Sequence, residues 1–347
     1  MAPLSSLVTL LLLWVGSAAS ERFTLAKTID RTNFYSEFDF MTTGRDTSRN
    51  DDNYSFVKYQ NLDDAKAKNI TRIQNGDVYL GVDHETVLNA SQTHGRDTFR
   101  IQTRDVFNHG LFVAHFTHLP KPACGSWPAY WFLADGPWPV NGEMDIYEGW
   151  HLQEHNRPSF KTGTESQVGT CIVDKKRHTY TANTISSNCD NKFNQQDVPP
   201  FQWEGQGCMG EETQDDIWGR KDGGIQAVVW TSEAIQIYTW RHGNEPASLQ
   251  PGANPKEIDT STWGTPSFQL RQCDIDRAFR NQRLLLDIAF CGGSVGDKLW
   301  GEGPSGGVCS QLMPQNCVAY VAENPGAFDE VYFQIKDIRR PCPPGVE

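Results

Sequence analysis

Along this chain, apolar and polar positions alternate in short runs separated by Gly, Pro, Asn and Asp. The runs Asp77–Asp83 (DVYLGVD), Asp97–Thr103 (DTFRIQT), Gly110–Leu119 (GLFVAHFTHL), Glu143–Glu148, Ile225–Thr231, Ala234–Arg241, Leu284–Phe290 and Glu330–Ile338 are rich in β-branched and aromatic residues. Such runs predict strands, because a period of two places alternate side chains on one face of a pleated strand. Helical spacing is confined to short pieces such as Asp63–Lys68 and Asp274–Arg280. No internal repeat, heptad or low-complexity linker divides the chain. Many short strands on one continuous chain predict an all-β fold, a sandwich of two antiparallel sheets. The exception is Arg157–Gly219, which is polar, holds Cys171, Cys189 and Cys208, and reads as long disulfide-pinned loops.

The amino terminus follows a different pattern. Met1–Ser20 carries no charged side chain; its apolar run, Leu7 to Val15, precedes Gly16-Ser17-Ala18-Ala19-Ser20. Ala18 and Ser20 are the small residues a signal peptidase needs just before its cut, so residues 1–20 are expected to be a signal peptide and residues 21–347 a single mature domain. The alternative, an uncleaved anchor, is disfavoured by the shortness of the run. Secretion agrees with two further features. Asn53-Tyr54-Ser55, Asn69-Ile70-Thr71 and Asn89-Ala90-Ser91 are N-glycosylation acceptors, and all nine cysteines follow the leader. No cysteine pair has metal-site spacing, so disulfides with one cysteine left over are expected.

Composition narrows the partners. With 347 residues, 38% of them hydrophobic, the chain has enough apolar material for a substantial core. Its 31 Lys and Arg against 43 Asp and Glu leave a net charge of -12. That balance repels nucleic acid and anionic membrane, but is indifferent to a neutral polymer such as a carbohydrate.

The candidate chemistry lies in Asn141-Gly142-Glu143-Met144-Asp145-Ile146-Tyr147-Glu148-Gly149. Glu143 and Asp145 share a strand face; Glu148 has the opposite parity unless one bulge residue intervenes. With that bulge, three acids line one face. Two glutamates leaning together across a concave sheet would bring their carboxyls to roughly 5 Å, the separation for retaining glycoside hydrolysis. Asp145 would raise a neighbour's pKa or share its proton. On the carboxylates alone, a solvated strand face accounts for the pattern equally well. Trp127, Tyr130, Trp131 and Trp138 change the odds, because aromatic faces stack on sugar rings, although each taken singly is a common core residue.

The string CGSWPAYWFLADGPWPVNGEMDIYEG resembles the active-site segment of secreted fungal endo-β-1,3(4)-glucanases, the laminarinase-like branch of glycoside hydrolase family 16. That branch carries a Glu-x-Asp-x-x-Glu motif after a Trp-Pro-Ala-Tyr-Trp-like strand. The wider match runs from about Phe34 through Gly95–Thr103 and Gly110–Pro120 to Cys273-Asp274-Ile275 and Phe290-Cys291-Gly292-Gly293. The resemblance implies a β-jelly-roll sandwich with a concave substrate cleft and a retaining mechanism. By motif position, Glu143 is the nucleophile, Asp145 the assisting acid and Glu148 the acid/base. Arg100, Tyr130, Trp131, Trp138, Gln153 and Asn156 match cleft-lining positions. The implied partner is a β-glucan polysaccharide, with no nucleic acid, no membrane and the chain acting as a monomer. No cofactor is expected, and no metal-ligand motif is present.

One position departs from the family pattern. Several relatives have a histidine thirteen residues after the acid/base, where this chain has Lys161. A lysine there can hydrogen-bond the nucleophile but does not titrate near neutrality. CGGSVGDKLWG also differs from the family's shorter Cys-Gly-Asp-Trp-like segment, so no binding role is carried to Trp300. Two alternatives stay open: a cell-wall glucan transglycosylase on the same fold, and a non-catalytic glucan-binding protein. The second would not need both glutamates.

Overall fold

Two antiparallel sheets hold most of the strands in the computed structural model, which describes residues 22–42, 54–174, 179–199, 201–250, 253, 257–301 and 308–342. The expected signal peptide and Asn53 lie outside the described residues. The first sheet, here the cleft sheet, has eight strands. Their order is Asn183–Ser186, Cys208–Glu211, Ser159–Lys161, Glu143–Glu148, Ser126–Ala134, Gln282–Phe290, Arg100–Thr103 and Phe38–Phe40. The nine-stranded back sheet is centred on Arg22–Asp30, Phe333–Cys342, Gly110–His118, Gly224–Trp230 and Ile235–Trp240.

The main core fills the space between the sheets. Ring pairs cross it, with Phe112 at 4.9 Å from Phe132, Phe116 at 5.5 Å from Tyr130, and Tyr147 at 5.7 Å from Phe333. The outer face of the back sheet is covered as well: Leu111, Val113, Ile225, Val229, Tyr238 and Trp240 pack with Leu249, Ile258 and Trp263. Burial on both faces explains why Gly110–His118 and Gly224–Trp230 read as near-continuous apolar runs. The two short helices expected from the spacing are Leu62–Ala67, capped by Asn61, and Ile275–Ala278, capped by Asp274.

Two segments differ from expectation. Arg157–Gly219 is not loop alone: Ser159–Lys161, Asn183–Ser186 and Cys208–Glu211 extend the cleft sheet at its edge. Strands of three or four residues are too short to show a period, and their ladder forms only when neighbouring strands are in place. Among the described residues, the stretch after Cys291 forms the short α-helices Gly293–Gly296, Lys298–Gly301, Val308–Leu312 and Cys317–Glu323. Disulfides Cys124–Cys309 and Cys291–Cys317 clamp it to the sandwich. Arg96, fully buried, donates to the carbonyls of Val321 at 2.6 Å and Ala322 at 3.0 Å, satisfying the end of the last helix. Cys171–Cys273 and Cys189–Cys208 complete the four disulfides of the described residues.

Candidate active site

The Glu143–Glu148 strand lies between Ser126–Ala134 and Ser159–Lys161. Glu143 pairs with Leu133, Asp145 with Trp131 and Glu148 with Ala129; the register slips between Asp145 and Tyr147. That slip is a bulge, and it turns Glu148 onto the face of Glu143 and Asp145. Met144, Ile146 and Tyr147 point into the sandwich core. A bulge leaves backbone groups without ladder partners, and Asn156 supplies them. Its Nδ2 donates to the Ile146 carbonyl at 2.8 Å, and its Oδ1 accepts from the Glu148 N–H at 2.9 Å.

Register places the outward residues in rows across the sheet. One row runs Arg283, Leu133, Glu143, Lys161; the next runs Leu285, Trp131, Asp145, Ser159; the third runs Arg100, Asp287, Ala129, Glu148. The three acids are nearly enclosed, at 6%, 2% and 6% exposure for Glu143, Asp145 and Glu148. Their surroundings differ. Lys161 Nζ donates to Glu143 Oε1 at 2.7 Å and to Asp145 Oδ2 at 2.6 Å, and Trp138 Nε1 donates to Glu143 Oε2 at 2.6 Å. Ser159 Oγ donates to Asp145 Oδ2 at 2.6 Å. Glu148 accepts from Trp127 Nε1 at 2.9 Å, and Trp127 packs on the apolar cluster of Trp150, Met209 and Val295.

These surroundings set the protonation. Burial raises Glu143, opposed mainly by the Lys161 charge. Burial, then the charge of Asp145, pushes Glu148 up to about 8. Burial works against the Lys161 ammonium, but Asp145, Glu143 and Glu148 outweigh it and hold the lysine well above its ordinary value. Glu148 is thereby the acid that favours its protonated form at neutral pH, while the Lys161 cation bonds the other two acids. One group able to give a proton and one carboxylate on the same face is the equipment for acid-assisted nucleophilic substitution.

The profile of an XgeA-like catalytic GH16 domain matches residues 45–340. The chain belongs to glycoside hydrolase family 16. The endo-1,3(4)-β-glucanase of Arthroderma benhamiae is 35% identical over 295 residues, 83% of this chain and 59% of that protein. A probable endo-1,3(4)-β-glucanase of Aspergillus flavus is 32% identical over 349 residues, 97% of this chain and 46% of that protein. The chain thus spans about half the length of these curated relatives. Among solved structures, laminarinase 16A of Phanerochaete chrysosporium, with 6-O-glucosyl-laminaritriose in donor and acceptor sites, matches at 27% identity and TM-score 0.77. An elongating family 16 β-1,3-glucosyltransferase matches at 29% identity and TM-score 0.76; each covers 92% of this chain and 100% of the other. The jelly-roll sandwich of the family 16 laminarinases is the fold seen here.

Not every residue matched to the family 16 cleft lies on the outward face. Trp138 is 50% exposed beside Glu143, and Trp131 is partly exposed, with the Arg100 guanidinium 5.0 Å above its ring. Gln153 is nearly enclosed, lies against Gly149 and donates to the His155 carbonyl at 2.6 Å. Tyr130 is a correction. It is fully buried against Phe116 and Phe132, because its parity along the strand is opposite to that of Trp131. Asn156 is another: it is fully buried beneath the bulge, braces backbone, and lines no cleft.

Two residues of this family 16 face were given no cleft position from the sequence, although Trp127 stood among its candidate stacking aromatics. Trp127 shares Trp131's parity, four positions earlier on the same strand, and that spacing was the available signal. Asp287, which accepts from Trp131 Nε1 at 2.8 Å and Tyr59 Oη at 3.3 Å, interrupts the apolar run Leu284–Phe290. A lone buried acid in such a strand marks a position facing something polar.

Proposed function

We propose that this chain is a secreted endo-β-1,3(4)-glucanase that retains anomeric configuration. The observation that carries the reading is the unequal pair of glutamates on one face: Glu143 beside the Lys161 cation, Glu148 protonated beside apolar surface. Glu148 gives its proton to the glycosidic oxygen as that oxygen leaves the anomeric carbon. A Glu143 carboxylate oxygen bonds to the same carbon, forming a glycosyl ester. Glu148, now ionised, takes a proton from water; the water oxygen replaces Glu143, which departs as carboxylate. Asp145, bonded to Ser159 and Lys161, braces the cation between the two glutamates and touches no sugar. Trp131 and Trp138 offer ring faces to glucose units, and Arg100 and Gln153 hydrogen-bond hydroxyls. The small Ala129, between Asp287 and Glu148, leaves room above the sheet for a sugar ring.

The relatives named for β-1,3(4)-glucan hydrolysis support this substrate class. Four disulfides and the accessible acceptor residues Asn69 and Asn89 support an oxidising, glycosylating route out of the cell. The decisive experiment sizes products from laminarin, lichenan and cellulose side by side and follows the anomeric configuration by proton NMR. Oligosaccharides of mixed length and initial β-anomer are expected from laminarin. Exclusive inverted product defeats the mechanism.

One observation favours glucosyl transfer as a second reading. Trp127, partly exposed and bonded to Glu148, offers a ring face to an acceptor sugar, and the similarity to an elongating glucosyltransferase supports that use. Products longer than the starting laminari-oligosaccharide would establish it.

A further inference from the structure

We propose that Lys161 is the positioning residue that decides which of the three carboxyl groups carries the reaction's proton. The inference rests on the Glu143 and Glu148 roles proposed above. An ammonium has three N–H donors, and all three are committed here: to Glu143 Oε1 at 2.7 Å, Asp145 Oδ2 at 2.6 Å and Ser159 Oγ at 3.3 Å. Ser159 in turn donates to the same Asp145 oxygen at 2.6 Å, so the cluster is closed by consistent donors and acceptors. Lys161 has only 11% of its side chain exposed, and register fixes it directly across from Glu143.

The cation therefore grips two of the three acids and leaves the third. Glu148 meets an indole N–H, which supports a carboxylate far less than a full positive charge does. Three enclosed acids with one cation cannot all be ionised without large cost, so one proton stays in the group. It goes to the acid that the cation does not touch. A neutral histidine at position 161 would offer one donor and no charge, and the proton would be free to sit on either glutamate. Lysine holds its charge across the working range, and this makes the division of roles permanent.

Other charged groups near the cluster are already engaged. The Ser126–Ala134 strand carries none. On the far side of Ser159–Lys161, Glu211 is bonded to Arg157 at 2.7 Å. Asp287 is held by Trp131 and Tyr59, and Arg283 is bonded to Asp135 at 3.2 Å. Above Lys161 comes backbone: a Cβ at Gly207 would lie 2.7 Å from Lys161 Cγ, so glycine is needed there to let the loop cover the lysine stem.

The test compares the full-length wild type with K161R, K161M and K161H. Two readouts are followed: the carboxyl ¹³C titrations of Glu143 and Glu148, assigned with E143Q and E148Q, and the pH profile of kcat/KM on laminarin. In K161M both glutamates should titrate at higher pH, Glu143 by about one to three pH units and Glu148 by less, because only Glu143 loses a direct contact. Both limbs of the activity profile should move upward with them. K161R should keep the wild-type titrations. K161H should match K161R at acid pH, where the ring is charged, and depart from it above about pH 7. Should K161M fail to fold, the K161H departure carries the test. Unmoved Glu143 titration in a folded K161M, or a K161H that behaves as K161R above about pH 7 as well as below it, overturns the proposal. The titration needs no turnover, so a wild type that hydrolyses no glucan sinks the glucanase reading and leaves the Lys161 result to be judged separately.

Discussion

Glu143 and Glu148 stand on the same strand face, each 6% exposed, yet they occupy different electrostatic regions. At the Glu143 end, an ammonium and the Trp138 indole reach both carboxylate oxygens. At the Glu148 end, one indole N–H and an apolar cluster replace them. Equal burial with unequal partners gives two chemically distinct acids. Desolvation is common to both, and the position of a single cation supplies the difference.

Removing either acid should break the comparison outright. Glu143→Ala is expected to abolish hydrolysis, and azide, entering the space left behind, should return a glycosyl azide of inverted configuration from an activated glycoside. Glu148→Ala should slow turnover of unactivated glucan by about 10²- to 10⁴-fold while sparing the first step on a substrate with a good leaving group. Azide should then give retained product; the opposite stereochemistry in the two variants would exchange the roles. For the wild type, kcat/KM should fall as pH rises through about 8, where Glu148 ionises and can no longer donate.

A smaller effect comes from beneath the strand. Asn156→Ala removes the side-chain acceptor of the Glu148 N–H and leaves the Ile146 carbonyl only the longer bond from Gln226 Nε2 at 3.2 Å, a loss of about 1–3 kcal/mol in stability, and should lower kcat more than it raises KM. Wild-type kcat in a stably folded Asn156→Ala would mean that the bulge holds itself. Trp138→Ala should weaken laminarin turnover by about 1–3 kcal/mol of activation free energy, with the melting temperature little changed, since that ring is half exposed.

Stability sharpens the contrast further. Glu148 in the fold titrates far above the ordinary carboxylate range, so its contribution is fully present at acid pH and lost as pH rises through about 8. Glu148→Gln should therefore melt higher than wild type at pH 8 and above, by about 1–3 kcal/mol, and show little gain at pH 4. Equal gains at both pH values would remove ionisation as the cause. The smallest effect is expected at Tyr130→Phe. Its hydroxyl is buried with no hydrogen-bond partner among the described residues, so stability should change by under about 1 kcal/mol and glucan turnover not at all. A marked loss of laminarin affinity would return Tyr130 to the cleft.

Much of this protein followed from sequence alone, because strand parity is a local property. The two-residue period put Glu143 and Asp145 on one face, demanded one bulge for Glu148, and built an all-β sandwich from runs such as Leu284–Phe290. The family motif then indicated the chemistry. Tertiary structure decided what depends on partners distant in sequence. Tyr130 and Trp131 are adjacent in sequence and equally aromatic, but only the sheet pairing shows that one is core and the other faces outward. Asn156 matched a cleft position, and only packing shows it under the bulge. The short strands of the Arg157–Gly219 segment form because a neighbouring ladder receives them. Lys161 was visible as a departure, but its three-way grip exists only once two strands lie side by side. A residue type fixes how many hydrogen bonds and charges it can offer; which groups receive them is settled by strands that meet across the sheet.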